Sequence, residues 1–373
     1  MKMRNFGKLG IQGSALGFGC MRFNGPDGKP DHEKAIKMLR HAIDSGLTYL
    51  DTAYVYLDKT SEIIVGEALQ DGYRDKVTIA TKLPLDYVKC PEDMDRILNE
   101  ELGKLQTDHI DFYLAHGINR EKWDRFKELG LPEYFKKWKA EGKVRYACFS
   151  FHGPYEDFEY IINDYDWDMT QIQFNYMDIE NQAGLKGLKL AGSLGIPVVI
   201  MEGLLGGRLA KAPDNVQALY DAFPVKRSAV EWAERWLCNF PEVATVLSGM
   251  NEPEQLEENL KIFDTVEAGI MSGDELKLID DVRAAYISRT KVNCTGCRYC
   301  MPCPNGVQIP NIFSVWNNAS LYDEDPKKNH EYKRIMEQNG GPENCLSCGA
   351  CEAACPQHLN IIEMLQAAKE ALA

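Results

Sequence analysis

Short apolar runs alternate with longer, helix-length segments over residues 1–290. Apolar runs that end at turn residues are typical of buried strands, and the longer segments between them are typical of helices. We predict helices that include Asp31–Asp44, Ser61–Leu69, Pro91–Lys104 and Ser228–Asn239. We predict strands at Ala15–Gly19, Thr48–Ala53, Val77–Lys82, Ile110–His116, Val144–Ser150, Thr170–Asn175, Pro197–Gly203 and Thr245–Gly249.

Eight strand–helix units predict an α/β fold, the (β/α)8 TIM barrel. An open doubly wound sheet also alternates strands with helices, but it usually has fewer strands and a glycine fingerprint after the first one. The segment Gly17-Phe18-Gly19-Cys20-Met21-Arg22 has the first two glycines of that fingerprint and lacks the third. It is a weak dinucleotide-binding signal, so the barrel is the favoured interpretation.

The pattern changes at Lys291, where cysteine, proline and asparagine replace the alternation. Two helix-like stretches, Ile309–Asn318 and Asn329–Gln338, lie between two cysteine-rich runs. We therefore predict a small, mainly α-helical ferredoxin-like domain at residues 289–373 after a barrel at residues 1–288.

Eight of the twelve cysteines lie in these two runs. In two-cluster ferredoxins, three closely spaced cysteines hold one iron–sulfur cluster and the fourth, which precedes a proline, ligates the other cluster. We therefore predict two [4Fe-4S] clusters. One would be held by Cys294, Cys297, Cys300 and Cys355, and the other by Cys345, Cys348, Cys351 and Cys303.

The second run matches the bacterial ferredoxin spacing, whereas the first is one residue short between its third and fourth cysteines. Two other interpretations of the cysteines, a zinc site and a disulfide framework, are weaker. A zinc site usually needs only four ligands, and disulfides are typical of secreted chains, for which we find no signal-peptide pattern. The remaining cysteines are scattered, and we expect them to be buried as small apolar residues: Cys20, Cys90, Cys148 and Cys238.

Charge and hydropathy exclude two classes of partner. The chain has 42 basic and 56 acidic residues, a net charge of −14, which argues against nucleic acid as a partner because phosphates require a basic surface. An acidic surface could suit a basic protein partner or serve solubility alone. No apolar run is long enough to cross a membrane. Reduced thiols and iron–sulfur clusters point to a cytoplasmic location.

Four polar residues stand at or just after the ends of consecutive predicted strands: Asp51, Tyr56, Lys82 and His116. The active sites of TIM barrels lie at these carboxyl ends. A tyrosine is a poor acid at neutral pH unless a cation lowers its pKa, and Lys82 can supply that charge while Asp51 holds the lysine. His116 can donate a hydrogen bond that orients a carbonyl oxygen.

The segments Asp51-Thr52-Ala53-Tyr54-Val55-Tyr56, Ala80-Thr81-Lys82 and Tyr113-Leu114-Ala115-His116 resemble the catalytic tetrad of the aldo-keto reductase family. Residues 198–207 and 248–259 resemble that family's cofactor segments, and the whole chain is similar to the branch with a C-terminal ferredoxin module. The resemblance implies reversible hydride transfer between a nicotinamide and a small-molecule carbonyl or alcohol, with Tyr56 as the general acid.

The same resemblance implies a set of cofactor contacts. Ser150 and Gln173 would hold the nicotinamide carboxamide, Met201 would lie against the nicotinamide ring, the loop from Gly203 would approach the diphosphate, and Glu258 and Asn259 would contact adenine. The full set is Gly19, Cys20, Met21, Asp51, Ser150, Gln173, Met201, Glu202, Gly203, Leu204, Gly206, Gly249, Met250, Gln255, Glu258 and Asn259.

Two departures from the family pattern affect the cofactor. Phe151 stands where family members often have an asparagine after the serine that corresponds to Ser150, so we expect the nicotinamide carboxamide to have one donor fewer. The positions that usually bind a 2′-phosphate carry no basic residue here, and Glu252, Glu254 and Glu257 surround them. Because carboxylates repel a phosphate, we predict a preference for NADH over NADPH, or weak binding of either nicotinamide.

Three interpretations of the whole chain remain open. In the first, the barrel is a nicotinamide-dependent carbonyl reductase and the clusters are structural or regulatory. In the second, a flavin in the barrel passes electrons through the clusters to a redox protein partner. In the third, catalysis is lost. The complete tetrad argues against the third, and we favour the first.

Overall fold

The computed structural model describes residues 1–23, 25 and 29–372. The chain forms two compact units. One comprises Met1–Gly206 and Val230–Ser272, and the other comprises Gly207–Ala229 and the chain from Gly273 onward. The second unit includes residues that precede position 289, and the division of the chain into 1–288 and 289–373 stays a proposal. No helix in the described part of the chain is long and apolar enough to cross a membrane.

The first unit is built on a closed eight-stranded parallel barrel, which confirms the predicted fold. A short antiparallel hairpin, β1 (Met3–Asn5) and β2 (Gln12–Ser14), precedes it. The barrel strands follow in order around the closed sheet, and β10 pairs with β3. They are β3 (Leu16–Gly19), β4 (Tyr49–Asp51), β5 (Thr78–Leu83), β6 (Ile110–Ile118), β7 (Val144–Phe151), β8 (Met169–Gln173), β9 (Val198–Met201) and β10 (Val243–Ser248).

Some of the helices of residues 1–290 begin at side-chain caps. The Asp31 side chain accepts from the Lys34 amide at the start of α1, and Glu252 and Gln255 form a capping box at the start of α10. The helices are α1 (His32–Asp44), α2 (Ser61–Ala68), α3 (Glu92–Leu105), α4 (Arg120–Glu128), α5 (Leu131–Ala140), α6 (Tyr155–Asp164), α7 (Gly184–Ser193), α8 (Asp214–Ala222), α9 (Ala229–Cys238), α10 (Pro253–Phe263) and α11 (Gly273–Ile287).

An aromatic cluster fills the amino-terminal end of the barrel. The ring of Phe6, which follows β1, lies 5.9 Å from that of Tyr49 and 5.6 Å from that of Phe112. All three side chains are buried. Because these rings close the amino-terminal end, a site inside the barrel can form only at the carboxyl ends of the strands, where the polar residues lie.

The second unit contains four further helices, α12 (Ile309–Tyr322), α13 (His330–Glu337), α14 (Ala350–Ala353) and α15 (Ile361–Ala371). The first two match predicted helices, whereas α14 and α15 were not predicted. Apolar residues of α12, α13 and α15 form a small core, and most of the clustered cysteines lie against it. Cys20, Cys148 and Cys238 are buried as expected, but Cys90 is exposed, because it lies at the surface where α3 begins.

Candidate active site and cysteine-lined cavities

A buried ion pair lies at the carboxyl end of the barrel. Lys82 on β5 donates from Nζ to Oδ1 of Asp51 on the adjacent β4 at 2.7 Å. The same Nζ donates to the backbone carbonyl of Thr52 at 2.6 Å. Both side chains are almost completely buried, so two protein acceptors replace the water that would otherwise solvate the ammonium group.

The phenol of Tyr56 lies beside this pair. The Lys82 Nζ is 4.8 Å from the centroid of the Tyr56 ring. The rings of Tyr56 and His116 meet edge to face, with centroids 6.1 Å apart and planes at 78°. The structure therefore brings all four predicted catalytic residues together. Leu57, Asp58 and Lys59 directly after Tyr56 all have positive φ, which turns the chain sharply at this point.

Burial and charge determine the protonation states of the site. Burial opposes the positive charge of Lys82, but Asp51 and Tyr56 outweigh it, so the pKa of Lys82 lies above its usual value. Burial raises the pKa of Tyr56 more than Lys82 lowers it. The expectation of a net decrease in that pKa is therefore wrong, and the phenol carries its proton at neutral pH.

His116 is neutral at physiological pH. Burial, reinforced by the charge of Lys82, lowers its pKa to about 3. A neutral imidazole has one N–H donor and one acceptor nitrogen. It can therefore donate a hydrogen bond to a carbonyl oxygen without bringing a second positive charge next to Lys82.

The predicted carboxamide ligands differ in how much hydrogen-bonding capacity they retain. The Ser150 hydroxyl accepts from the Gly117 amide at 2.7 Å, which leaves its proton to donate. Gln173 donates to Asp178 and accepts from Gln182, each at 2.9 Å. Its side-chain amide therefore retains one N–H and one lone pair for a ligand.

The chain after β9 approaches the barrel closely. Gly203 is buried, and a Cβ there would lie 2.7 Å from the Cδ1 of Leu237 on α9, so a larger residue would force the Leu237 side chain to move. Met201 is half-buried and accepts a weak hydrogen bond from Gln171 at 3.7 Å. Glu202 has a φ of 61°, and its carbonyl accepts from the buried Asn175 at 3.1 Å. Sequence analysis missed this role of Asn175, which was treated as the end of a strand.

Several predicted adenine-side residues already have structural contacts. Gln255 accepts from the Asn251 amide at 2.8 Å within the cap of α10. Asn259 is buried and donates to the Ser248 hydroxyl at 2.9 Å, and Met250 is buried. Glu258 is half-buried on the same helix. Their contacts with a nucleotide stay a prediction.

The segment after β3 brings Arg22, which is absent from the predicted cofactor contacts, to the same end of the barrel. Gly19 lies against the carbonyl of Ser248, the buried Cys20 donates its amide to the Asp51 carbonyl at 2.7 Å, and Met21 is exposed. Arg22 then extends to the loop after β9 and donates to the Gly206 carbonyl at 3.2 Å. Its sequence signal was its position in the incomplete glycine fingerprint, where Arg22 stands in place of the third glycine.

In the second unit, the clustered cysteines line two separate cavities. A cavity of about 140 Å³ is lined by Cys300, Cys303, Cys345, Cys348 and Cys351. A smaller one is lined by Cys294, Cys297, Cys300 and Cys355. Each cavity contains one predicted ligand set, and Cys300 lines both. Among the described residues, no three His, Cys, Asp or Glu side chains are arranged to hold a single metal ion.

Comparisons with known proteins agree with both parts of the chain. A model of the aldo/keto reductase family matches residues 15–282, and a model of a 4Fe-4S dicluster domain matches residues 293–360. The uncharacterized oxidoreductase YqkF of Bacillus subtilis is 26% identical over 309 residues, which cover 75% of this chain and 95% of that relative. A probable aldo-keto reductase 1 of Glycine max is 34% identical over 162 residues, which cover 39% of this chain and 45% of that relative.

Solved structures show the same barrel. The holo form of aldo-keto reductase AKR11C1 from Bacillus halodurans matches with a TM-score of 0.64 and 26% identity, covering 76% of this chain and 96% of that one. An aldo-keto reductase from Klebsiella pneumoniae in complex with NADPH matches with a TM-score of 0.61 and 24% identity, covering 76% and 95% of the two chains.

Proposed function

Because the chain belongs to the aldo-keto reductase family and carries a 4Fe-4S dicluster domain, we propose that its barrel transfers hydride reversibly between a nicotinamide dinucleotide and a small-molecule carbonyl or alcohol. The observation that carries the proposal is the buried Lys82–Asp51 pair beside a protonated Tyr56 and a neutral His116. The bound nicotinamide supplies or accepts the hydride.

The chain's own residues would handle the proton. Tyr56 donates its phenolic proton to the carbonyl oxygen as negative charge develops there. Lys82 stabilises the resulting phenolate, and Asp51 keeps the ammonium group charged and in place. His116 donates a hydrogen bond to the same oxygen and fixes its direction. In the reverse direction, the phenolate removes the proton of an alcohol.

The groups at the mouth also fit a nicotinamide cofactor. Ser150 has a free hydroxyl proton for the carboxamide, and the glycine-rich turn after β9 has backbone φ values of 67° and 98° at Gly206 and Gly207. A backbone without side chains can approach a diphosphate closely. We propose NADH as the preferred form, because Glu252, Glu254 and Glu257 are exposed in the segment that resembles the family's 2′-phosphate-binding region, and carboxylates repel a phosphate.

The test is an anaerobic assay of NADH and NADPH oxidation against a panel of aldehydes and ketones. Tyr56→Phe should abolish turnover and leave nucleotide binding nearly unchanged, because it removes only the proton donor. Tyr54→Phe is the matched control, since the Tyr54 hydroxyl bonds Glu100 rather than the catalytic group. Unchanged turnover in the Tyr56 variant would overturn the assignment.

For the tail, we propose that the two cavities hold [4Fe-4S] clusters through the cysteines that line them, and that the protein works in the cytoplasm. A second function is favoured by one observation. Tyr299 and Leu346, which are 71% and 73% exposed, line the same cavity as Cys345 and Cys348. Large exposed apolar side chains beside a redox site suit contact with a redox protein.

In that second function, a flavin in the barrel would pass electrons through the clusters to the partner. The distinguishing experiment is anaerobic purification, followed by a visible spectrum and extraction of bound cofactor. A stoichiometric flavin released on denaturation would favour the relay. If active, iron-loaded protein releases no flavin, the relay is excluded and the nicotinamide-dependent reductase is favoured.

A further inference from the structure

Arg22 connects two loops at the mouth of the barrel. It follows β3, passes Gly249 after β10, and reaches the turn after β9. The Cδ of Arg22 lies 3.8 Å from where a Cβ of Gly249 would be, and its Nη1 donates to the Gly206 carbonyl at 3.2 Å. The backbone at Gly19 also lies close to Gly249. Arg22, which follows β3, therefore contacts both the segment after β9 and the segment after β10.

Arg22 has spare hydrogen-bonding capacity. A guanidinium group has five N–H donors, and the Gly206 carbonyl takes one of them. Among the residues that the structure describes, no carboxylate lies within ion-pair distance of Arg22, although the chain carries a net charge of −14. With respect to the described part of the chain, this exposed arginine can therefore bind a ligand anion without first breaking an ion pair.

The space beside this group is open on the side of the turn. A Cβ on Gly206 would lie 3.7 Å from Arg22 Nη2 and 3.6 Å from Glu202 Oε2, so the space above Gly206 lies between a cation and a carboxylate. Gly206 has a φ of 67°, a conformation that favours glycine and leaves this space free of a side chain. Because the Glu202 carboxylate repels an anion, a phosphate group would bind on the side of the guanidinium that faces away from Glu202.

We infer that Arg22 is the cationic ligand of the phosphate groups of the bound dinucleotide, and specifically of the diphosphate. This inference rests on the proposed function. Planar, bidentate hydrogen bonding makes arginine well suited to phosphate oxygens. The diphosphate is favoured over a 2′-phosphate because the guanidinium itself bonds the turn after β9, whereas only the Cδ of Arg22 lies beside Gly249 after β10.

The test measures nucleotide binding directly, by fluorescence titration of NADH and NADPH into purified full-length protein. In Arg22→Gln, both dissociation constants should rise by at least about tenfold, since a charge-assisted hydrogen bond contributes about 1.5–3 kcal/mol. Arg22→Lys should regain part of the loss because it keeps the charge. Arg125→Gln, which removes an exposed arginine paired with Glu128, should bind as wild type does.

Each outcome decides the inference. Unchanged dissociation constants in Arg22→Gln, with an unchanged melting temperature, would overturn it. An increase for NADPH alone would place the guanidinium at the 2′-phosphate and overturn the diphosphate assignment. Failure of the wild-type protein to bind either nucleotide would instead contradict the proposed function.

Discussion

Lys82 and Asp51 hold each other in a site with almost no access to water. A buried charge without its partner is costly, which makes the pair essential for stability as well as for chemistry. The same burial keeps Tyr56 protonated and His116 neutral. A single physical cause, removal of water from one end of the barrel, therefore sets the protonation of the whole catalytic group.

Replacing Lys82 with Met should abolish carbonyl reduction and reduce the free energy of unfolding by about 3–5 kcal/mol, because the Asp51 carboxylate would be buried without its cation. The double variant Asp51→Asn with Lys82→Met should recover part of that stability but none of the activity. Chemical denaturation and the NADH oxidation assay measure the two effects. If the single and double variants lose the same free energy of unfolding, the unpaired Asp51 carboxylate is not the cause of the loss.

The lowered pKa of His116 predicts a pH dependence of stability. The folded protein keeps this imidazole neutral down to about pH 3, while the unfolded chain protonates it below about pH 6.5. Stability is therefore lost as the pH falls below about 6.5, at most by about 1.4 kcal/mol per pH unit from this group. Unfolding free energies between pH 7 and pH 5 should fall more steeply in wild type than in His116→Gln.

At the scale of secondary structure, the eight barrel strands could be predicted because each is a buried apolar run that ends at a polar residue or glycine. The hairpin β1–β2 could not, since each strand has three residues and its role depends on Phe6 meeting Tyr49 and Phe112. The meeting of Asp51, Tyr56, Lys82 and His116 at one end of the barrel was predictable from their strand-end positions. The bond from Arg22 to Gly206 was not, because it joins residues 184 positions apart in the chain.

Side-chain contacts that depend on how neighbouring elements pack could not be predicted from the sequence either. The sequence assigns Gln255 and Asn259 to a nucleotide, but the structure shows that both also stabilise the start of α10 and the end of β10. Such contacts depend on how the helix meets the strand. Sequence spacing alone does not contain that information.

The cysteine runs give a prediction for the tail. Cys348→Ala should lose about half of the bound iron and acid-labile sulfide and destabilise the cysteine-rich region, since small cluster-binding domains depend on their metal for folding. Cys90→Ala is the control, because Cys90 is also exposed but lies outside both cavities. Iron and sulfide analysis of anaerobically purified protein measures the effect. Full iron retention in Cys348→Ala would exclude that cysteine as a ligand.

At the scale of the whole molecule, an aldo-keto reductase barrel and a 4Fe-4S dicluster domain share one chain. In the proposed function, the barrel transfers two electrons at once and each cluster transfers one. If the clusters are structural or regulatory, the rate of carbonyl reduction should differ by less than about twofold between oxidised and dithionite-reduced protein, because hydride transfer does not pass through iron. Stopped-flow absorbance after addition of NADH provides the complementary measurement. Bleaching of the cluster absorption at the turnover rate would favour the relay instead.

Isotope transfer tests the central claim most directly. The protein is incubated anaerobically with NADH that carries deuterium at both C4 positions and an aromatic aldehyde that it reduces, and the alcohol is analysed by mass spectrometry. The account predicts one deuterium on the carbinol carbon with wild-type protein and no alcohol with Tyr56→Phe. Alcohol without deuterium, or equal labelled alcohol from the Tyr56 variant, would contradict hydride transfer assisted by that phenol.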